Sequence, residues 1–226
     1  MTVDGLPLIP LLLWGMIVGV DLVTAPQGLL SRPLVAAAGA GWLAGDVEAG
    51  LRVGVILELF ALDVLPVGAS RYPDYGAAAV GAAVLAAGAD RWAGLGAGAA
   101  LGLALAALGG WTLQWIRHAN TRGLQQYTAA LAAGDPGAIL AMQRTALLRD
   151  MGRSVSLGAF AVLIAIIARP VIADPTASRW ILVAAVAVGA AGAATAGGAI
   201  RSAGHGQRLR WLVAGAVVGT CWAVLG

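Results

Sequence analysis

Long uninterrupted apolar runs constrain the fold of this chain more than any other feature of its sequence. Residues Leu157 to Ala168 and Ile181 to Ile200 are apolar on nearly every face, so neither segment has the polar side of a water-exposed helix or an alternating strand. The chain is 60% hydrophobic and 11% charged, with a mean hydropathy of +0.85. We therefore predict an all-α integral membrane protein, a polytopic helical bundle of roughly six to eight passes or half-passes.

The apolar runs of the N-terminal third are short and interrupted. The runs lie at residues 7–28, 33–44, 49–69, 76–90, 92–116, 154–173, 178–200 and 209–225. The interruptions of the second and third runs are Asp46, Glu48, Arg52, Glu58, Asp63 and Pro66. Irregular backbone is tolerated at membrane depth only where it lines a protected cavity. We therefore predict broken or re-entrant helices in this third, an anatomy typical of transporters.

One long polar stretch, residues 117–153, divides the chain. It contains five arginines and the sequence Asp135-Pro136-Gly137, which is typical of a turn between two helical arms. An excess of arginine in a connection favours the cytoplasmic side of a membrane. We predict that this stretch lies outside the bilayer core on that side, within one membrane-embedded domain that comprises residues 1–226.

Two sets of glycines recur every four residues. Gly94, Gly98 and Gly102 form one set, and Gly215 and Gly219 form the other. This spacing gives a helix a ridge without side chains, where another backbone can approach closely. We predict that these ridges pack helices within the chain.

Glu58 is the charged residue least able to reach water, because four apolar residues flank it on each side. A charge at bilayer depth costs about 3 kcal/mol on insertion scales, so Glu58 needs a buried partner, a proton or a ligand. Arg32 and Arg52 are the candidate counter-charges, and a pair with either can be purely architectural. Carboxylate and amide oxygens accept hydrogen bonds from sugar hydroxyls, which makes Glu58, Gln27 and Asp21 candidate ligand contacts. Composition alone does not distinguish a sugar ligand from an ion.

Asp46 and Asp74 have two open interpretations: each contacts a ligand, or each lies in a turn at the water boundary. Asp46-x-Glu48 is a weak metal-binding pattern. The sequence has no glycine-rich phosphate loop with lysine, no paired cysteine and no paired histidine. We therefore predict no catalytic residue, no cofactor, no metal and no nucleic-acid partner.

Several short motifs follow one another within residues 15–80. They are Gln27-x4-Arg32-Pro33-Leu34-Val35, Gly45-Asp46-x3-Gly50-Leu51, Gly54-x3-Glu58-Leu59-x2-Leu62, Pro66-Val67-Gly68-Ala69 and Pro73-Asp74. In order and spacing these motifs resemble the IIC subunit of the mannose family of the bacterial phosphoenolpyruvate-dependent sugar phosphotransferase system. The later polar stretch is similar to the middle segment of that family.

The resemblance implies a membrane permease subunit that binds and translocates a hexose or an amino sugar. It implies a trimer of IIC–IID units in the bacterial inner membrane, with soluble IIA and IIB proteins that carry the phosphate, and no phosphorylated residue in IIC itself. On this resemblance the substrate-binding candidates are Glu58, Gln27, Asp46, Arg32 and Asp74. The residues that shape the broken helices are Pro33, Gly45, Pro66, Gly68 and Pro73.

Two functions of other classes stay open on the sequence alone. A secondary transporter coupled to protons through Glu58 would deliver unmodified sugar without a IID partner. A non-transporting sensory or docking protein would keep the fold and lose sugar affinity.

Overall fold

The computed structural model describes residues 2–3, 5–22, 28–62 and 72–173, together with the single positions 210, 214 and 218. In this part of the chain two short strands, β1 (Thr2–Val3) and β2 (Leu6–Pro7), pair antiparallel ahead of the helices. The helices are α1 (Leu8–Asp21), α2 (Pro33–Leu43), α3 (Val47–Leu62), α4 (Tyr75–Ala86), α5 (Arg91–Gln126), α6 (Thr128–Ala132) and α7 (Pro136–Ala173). The predicted helical architecture is confirmed. Apart from the three single positions, the predicted runs beyond residue 173 lie outside the described residues.

Two helices, α5 and α7, are long and apolar enough to cross a membrane among the described residues. They contain 36 and 38 residues, which corresponds to about 54 and 57 Å at 1.5 Å per residue. Because the hydrocarbon core is only about 30 Å thick, each helix continues well beyond it. The polar stretch 117–153 supplies these extensions, and α6 and a turn at Gly134, with φ +75°, connect them.

The helices of the N-terminal half are shorter than the bilayer core. α1, α2 and α4 contain 14, 11 and 12 residues, so they extend about 16 to 21 Å. Pro33 starts α2 at a position where its missing N–H costs no hydrogen bond. Gly45, with φ +82°, lies in the turn between α2 and α3. A re-entrant course for these helices stays a prediction.

The central element of the bundle is α4, which packs against α1, α2, α3, α5 and α7. Residues 76–86 are all buried and nearly all are glycine, alanine or valine, so the neighbouring backbones approach closely. On α5, a Cβ at Gly98 would lie 2.8 Å from the Ala82 carbonyl oxygen, and one at Gly102 would lie 2.7 Å from Leu57 Cδ1. Packing within the chain is thereby confirmed for this glycine ridge. Gly215 and Gly219 lie outside the described residues.

Large apolar side chains are exposed on the outer surface of the bundle. Trp42, Leu59, Trp115 and Ile167 are among them. Exposed apolar surface on this scale is unfavourable in water and marks a membrane-embedded or interaction surface. The outside of the bundle therefore has the chemistry of a lipid-facing surface, as the composition predicts.

Candidate functional site

An arginine and a glutamate meet where α2 begins. Arg32 directly precedes α2, and Glu58 lies on the last turns of α3. Arg32 Nη2 forms an ion pair with Glu58 Oε1, and Glu58 Oε2 accepts a hydrogen bond of 3.2 Å from the Leu34 N–H. The Glu58 carboxylate thus lies at the positive end of the α2 dipole. Since the Glu58 side chain is 17% exposed and that of Arg32 is 41% exposed, a small ligand can reach both.

Gly54 explains how the two helices approach closely enough for this contact. It precedes Glu58 by four residues, so both lie on the same face of α3. A Cβ at Gly54 would lie 3.0 Å from Leu34 Cα and 3.0 Å from Ala37 Cβ, which is tighter than ordinary contacts. The glycine therefore allows the Leu34 N–H to come within hydrogen-bonding distance of Glu58. The Gly54-x3-Glu58 spacing is visible in the sequence, but the spacing alone does not indicate this packing role for Gly54.

Asp21 fixes the loop that carries Arg32. Its Oδ1 accepts a hydrogen bond from the Gly28 N–H at 2.6 Å, and its Oδ2 accepts one from the Ser31 N–H at 2.8 Å. The loop also holds Leu29 at φ +71°, a left-handed conformation that non-glycine residues rarely adopt. Asp21 is buried at the end of α1, so its carboxylate organises the loop from inside the bundle. Gln27, another candidate contact, lies outside the described residues.

Asp46 lies at the opposite end of the α2–α3 hairpin from Arg32. Its Oδ1 accepts from the Ala49 N–H at 2.9 Å and its Oδ2 from the Gly88 N–H at 3.1 Å, which connects this turn to the one after α4. Both bonds favour the ionised carboxylate, and the bond from Ala49 does most to hold the pKa of Asp46 below its usual value. The 11 residues of α2 place the two ends of the hairpin about 16 Å apart. One sugar therefore cannot contact Asp46 and Arg32 at once.

Arg52, the other candidate counter-charge for Glu58, forms a different pair. Its guanidinium contacts Glu48, four residues earlier on α3. The Glu48 side chain is 73% exposed, so this is a surface pair. The structure therefore selects Arg32 as the partner of Glu58.

A second charged cluster lies inside the bundle and joins α4 to α7. Asp74 Oδ2 accepts a hydrogen bond from Arg153 Nη1 at 2.7 Å, and Arg153 Nε donates to Asp150 Oδ1 at 3.1 Å. The Asp74 and Arg153 side chains are 0% and 3% exposed. Asp74 Oδ1 also caps α4 by accepting from the Ala77 N–H, while the Asp74 N–H donates to the Ala106 carbonyl. Both Asp74 oxygens are thus used within the protein.

Arg153 and Asp150 were not predicted to belong to this cluster. Their sequence position assigned both to the polar stretch outside the bilayer core, whereas the structure buries both, with Arg153 bound to Asp74 and to Asp150. The available signal was the position of Arg153, which directly precedes the apolar run that begins at residue 154. A charge at such a boundary either reaches the interface or finds a partner in the bundle.

The residues predicted to interrupt the helices are placed as follows. Pro33 is the first residue of α2, and Gly45 lies in the α2–α3 turn. Pro73 directly precedes Asp74, the N-cap of α4. Pro66 and Gly68 lie outside the described residues.

The bundle of short and long apolar helices, with an accessible ion pair between two of the short ones, defines a polytopic helical membrane protein. The family described as PTS system sorbose-specific IIC component matches residues 6–223. The chain therefore belongs to this family of membrane components of the sugar phosphotransferase system (PTS), as the resemblance to mannose-family IIC subunits predicts.

One similar protein is the fructose permease IIC component of Bacillus subtilis (strain 168). It is 39% identical over 106 residues, which are 47% of this chain and 38% of that protein. The matched stretch thus spans well under half of the Bacillus subtilis protein.

Two solved structures share the fold over nearly the whole chain. One is described as the structure of a membrane protein, with a TM-score of 0.63, 22% identity, and coverage of 99% of this chain and 96% of that chain. The other is the cryo-EM structure of the mannose transporter ManYZ with microcin E492, with a TM-score of 0.58 and 21% identity. It covers 100% of this chain and 96% of the matched chain.

Proposed function

We propose that this chain is the sugar-translocating IIC subunit of a phosphotransferase system in the bacterial inner membrane. It binds a hexose or an amino sugar, works with a IID membrane subunit in a trimer of IIC–IID units, and relies on soluble IIA and IIB proteins for the phosphate. Family membership supports the permease role. The names of the similar proteins, a fructose permease and a mannose transporter, support a hexose as the substrate.

The ion pair between Arg32 and Glu58 is the observation that carries the proposal for the sugar site. A carboxylate accepts hydrogen bonds from sugar hydroxyls and a guanidinium donates to their oxygens, so the pair offers both kinds of contact. Both side chains are partly exposed. When a sugar hydroxyl replaces Arg32 or Glu58 as a hydrogen-bond partner, the displaced group can bind the sugar as well, so neither charge is left unpaired. The adjacent start of α2 adds backbone N–H groups that have no partner within the helix.

The other acidic candidates have structural roles in this proposal. Asp46 uses both oxygens to connect two turns, and Asp74 uses both to bind Arg153 and cap α4. Gln27 stays a proposed sugar contact, because it directly precedes the loop that Asp21 holds beside Arg32.

Short helices around this pair support a broken or re-entrant arrangement. α2 and α3 form a hairpin, and α2, with 11 residues, is well short of the roughly 20 residues of a full span. A charged pair between such helices can line a protected cavity where a polar substrate crosses the bilayer. In this arrangement the chain binds and moves the sugar, while the phosphoryl group passes from IIB to a sugar hydroxyl at the cytoplasmic side.

Accumulation of labelled sugar phosphate in cells tests this function. The chain is co-expressed with IID and IIB proteins of its family, and each component is omitted in turn, with fructose, mannose and sorbose as the labelled substrates. We expect phosphorylated sugar only when all components are present. Free sugar that accumulates without IIB contradicts the proposal and indicates an ion-coupled carrier. No uptake from any combination, with the protein shown in the membrane, indicates a sensory or docking role.

Glu58→Gln tests the site itself. We expect at least a tenfold loss of sugar binding, because a hydrogen bond to a charged group contributes about 1.5 to 3 kcal/mol. Glu48→Gln is the matched control on the same helix, since Glu48 is exposed and pairs only across one turn. Binding is measured with the purified IIC–IID complex, and its yield reports assembly. Wild-type affinity in Glu58→Gln rules out this site.

A further inference from the structure

A groove of about 480 Å³ runs along the outside of the bundle between α5 and α7. The two helices are antiparallel there, because Arg149 contacts the Ala119 carbonyl while Leu157 lies against Gly109. One end of the groove is therefore formed by Arg149 and Arg153, and the other by apolar side chains that include Leu108 and Phe160.

The groove changes from charged to apolar along its length, as one leaflet of a membrane does from headgroup to acyl chain. Arg149 belongs to the polar stretch, whereas Phe160 lies within the apolar run of α7. Their separation of 11 positions corresponds to about 16 Å of helix, close to half of the roughly 30 Å hydrocarbon core. Trp115, which is exposed beside the arginines, is a residue type enriched at the membrane interface. The charged end thus coincides with the headgroup level.

Of the two arginines at this end, Arg149 has hydrogen-bond donors to offer to a ligand. Both hydrogen bonds of Arg149 among the described residues use Nη1, to the Ala119 carbonyl at 3.1 Å and Asn120 Oδ1 at 3.0 Å. Both acceptors are neutral oxygens, so these bonds hold the guanidinium in place without compensating its positive charge. Deeper in the bundle, Arg153 is enclosed and already paired with Asp74 and Asp150, so Arg149 is the cation that is available to a ligand in the groove. An arginine at headgroup depth that is fixed by neutral groups favours an external anion.

We propose that this groove binds an anionic phospholipid, with its phosphate at Arg149 and one acyl chain along the apolar surface between α5 and α7. The phosphate accepts hydrogen bonds from the guanidinium, and the chain covers Leu108, Leu157 and Phe160. The positive charge at one end of the groove, the depth of that end in the membrane and the length of the groove all match one phospholipid molecule within a single leaflet. The proposal does not depend on which sugar is transported.

Native mass spectrometry of the full-length protein with added phosphatidylglycerol or phosphatidylcholine tests this inference. We expect the wild type to retain phosphatidylglycerol preferentially. Arg149→Gln reduces that retention about fivefold, the size expected from the loss of one arginine near an anionic surface. Arg144→Gln is the matched control, because Arg144 is exposed on the same helix and does not line the groove; its retention stays at the wild-type level.

A second variant keeps the test independent of the charge. Ser156 lines the groove, so Ser156→Trp fills it and reduces retention of both lipids, while size-exclusion chromatography reports whether the protein stays folded. Unchanged phosphatidylglycerol retention in both groove variants overturns the proposal. Equal displacement by inorganic phosphate alone overturns it in favour of a free-anion site. Loss of the lipid when the chain is purified with its IID subunit overturns it in favour of a protein interface.

Discussion

Two arginine–carboxylate pairs of this bundle, Arg32–Glu58 and Arg153–Asp74, have the same chemistry and different access to their surroundings. Arg32 and Glu58 meet between short helices with part of both side chains exposed, whereas Arg153 and Asp74 are almost wholly enclosed. Asp150 gives the enclosed pair a second carboxylate, and Asp74 also caps a helix. A charge within an apolar sequence is thus no sign of a binding site by itself. The exposed fraction of the side chains and the hydrogen bonds they already make distinguish the pair that we propose as a ligand contact from the pair that connects two helices.

The largest effect on stability is expected from breaking the enclosed pair. Arg153→Met removes the buried ion-pair partner of Asp74, whose carboxylate stays enclosed, and this costs about 3 to 5 kcal/mol of unfolding free energy. Equilibrium unfolding in mixed micelles measures the loss. Adding Asp74→Asn removes the buried charge that has lost its partner, so this double variant regains much of the stability. A single variant as stable as the wild type contradicts the structural role of the cluster.

A smaller loss of stability is expected at the contact between α2 and α3. Gly54→Val inserts side-chain atoms against Leu34 and Ala37, and overpacking of this kind costs about 1 to 3 kcal/mol. It also moves the Leu34 N–H away from Glu58. The free energy of sugar binding is therefore expected to weaken by more than the free energy of unfolding. Gly152→Ala is the control, because nothing lies within 4 Å of a Cβ built there. Equal behaviour of the two variants in unfolding and binding experiments argues against the role of Gly54.

The smallest effect on stability is expected at the accessible pair. Arg32→Gln removes a partly exposed charge, so the unfolding free energy falls by no more than about 1 kcal/mol, while sugar uptake is lost. Arg52→Gln, the control, removes a surface pair and leaves both properties near the wild-type value. Parallel micelle unfolding and uptake assays distinguish the outcomes. If Arg32→Gln destabilises the protein as strongly as Arg153→Met, the two pairs do not differ as described.

Hydropathy predicted the membrane class and the helical architecture, because apolar residues on all faces leave few alternatives. It ended one apolar run at 116 and began the next at 154, since it follows side-chain polarity, and only the Asp135-Pro136-Gly137 turn predicted helical arms in the stretch between them. The backbone hydrogen bonds of α5 and α7 continue through that change in polarity. A helix can leave the bilayer without ending, so composition marks the membrane boundary and not the end of the helix.

The charge pairs were predictable to different degrees. A pair between Arg52 and Glu58 is excluded by helix periodicity, because residues six apart on one helix face directions about 120° apart. The same periodicity favours Glu48 as the partner of Arg52. The pair between Asp74 and Arg153 joins residues 79 positions apart, and no local pattern indicates that distance. It depends on how α4 and α7 pack, which the spacing of residues does not specify.

The composition of α4 has a consequence for heritable variation. Its 12 codons encode almost only glycine, alanine and valine at positions enclosed by five other helices. Most amino acids that one base change can introduce there are larger or charged, and the surrounding backbones leave no room for them. Spontaneous mutants selected for resistance to a toxic sugar analogue should therefore carry missense changes in these codons out of proportion to their number.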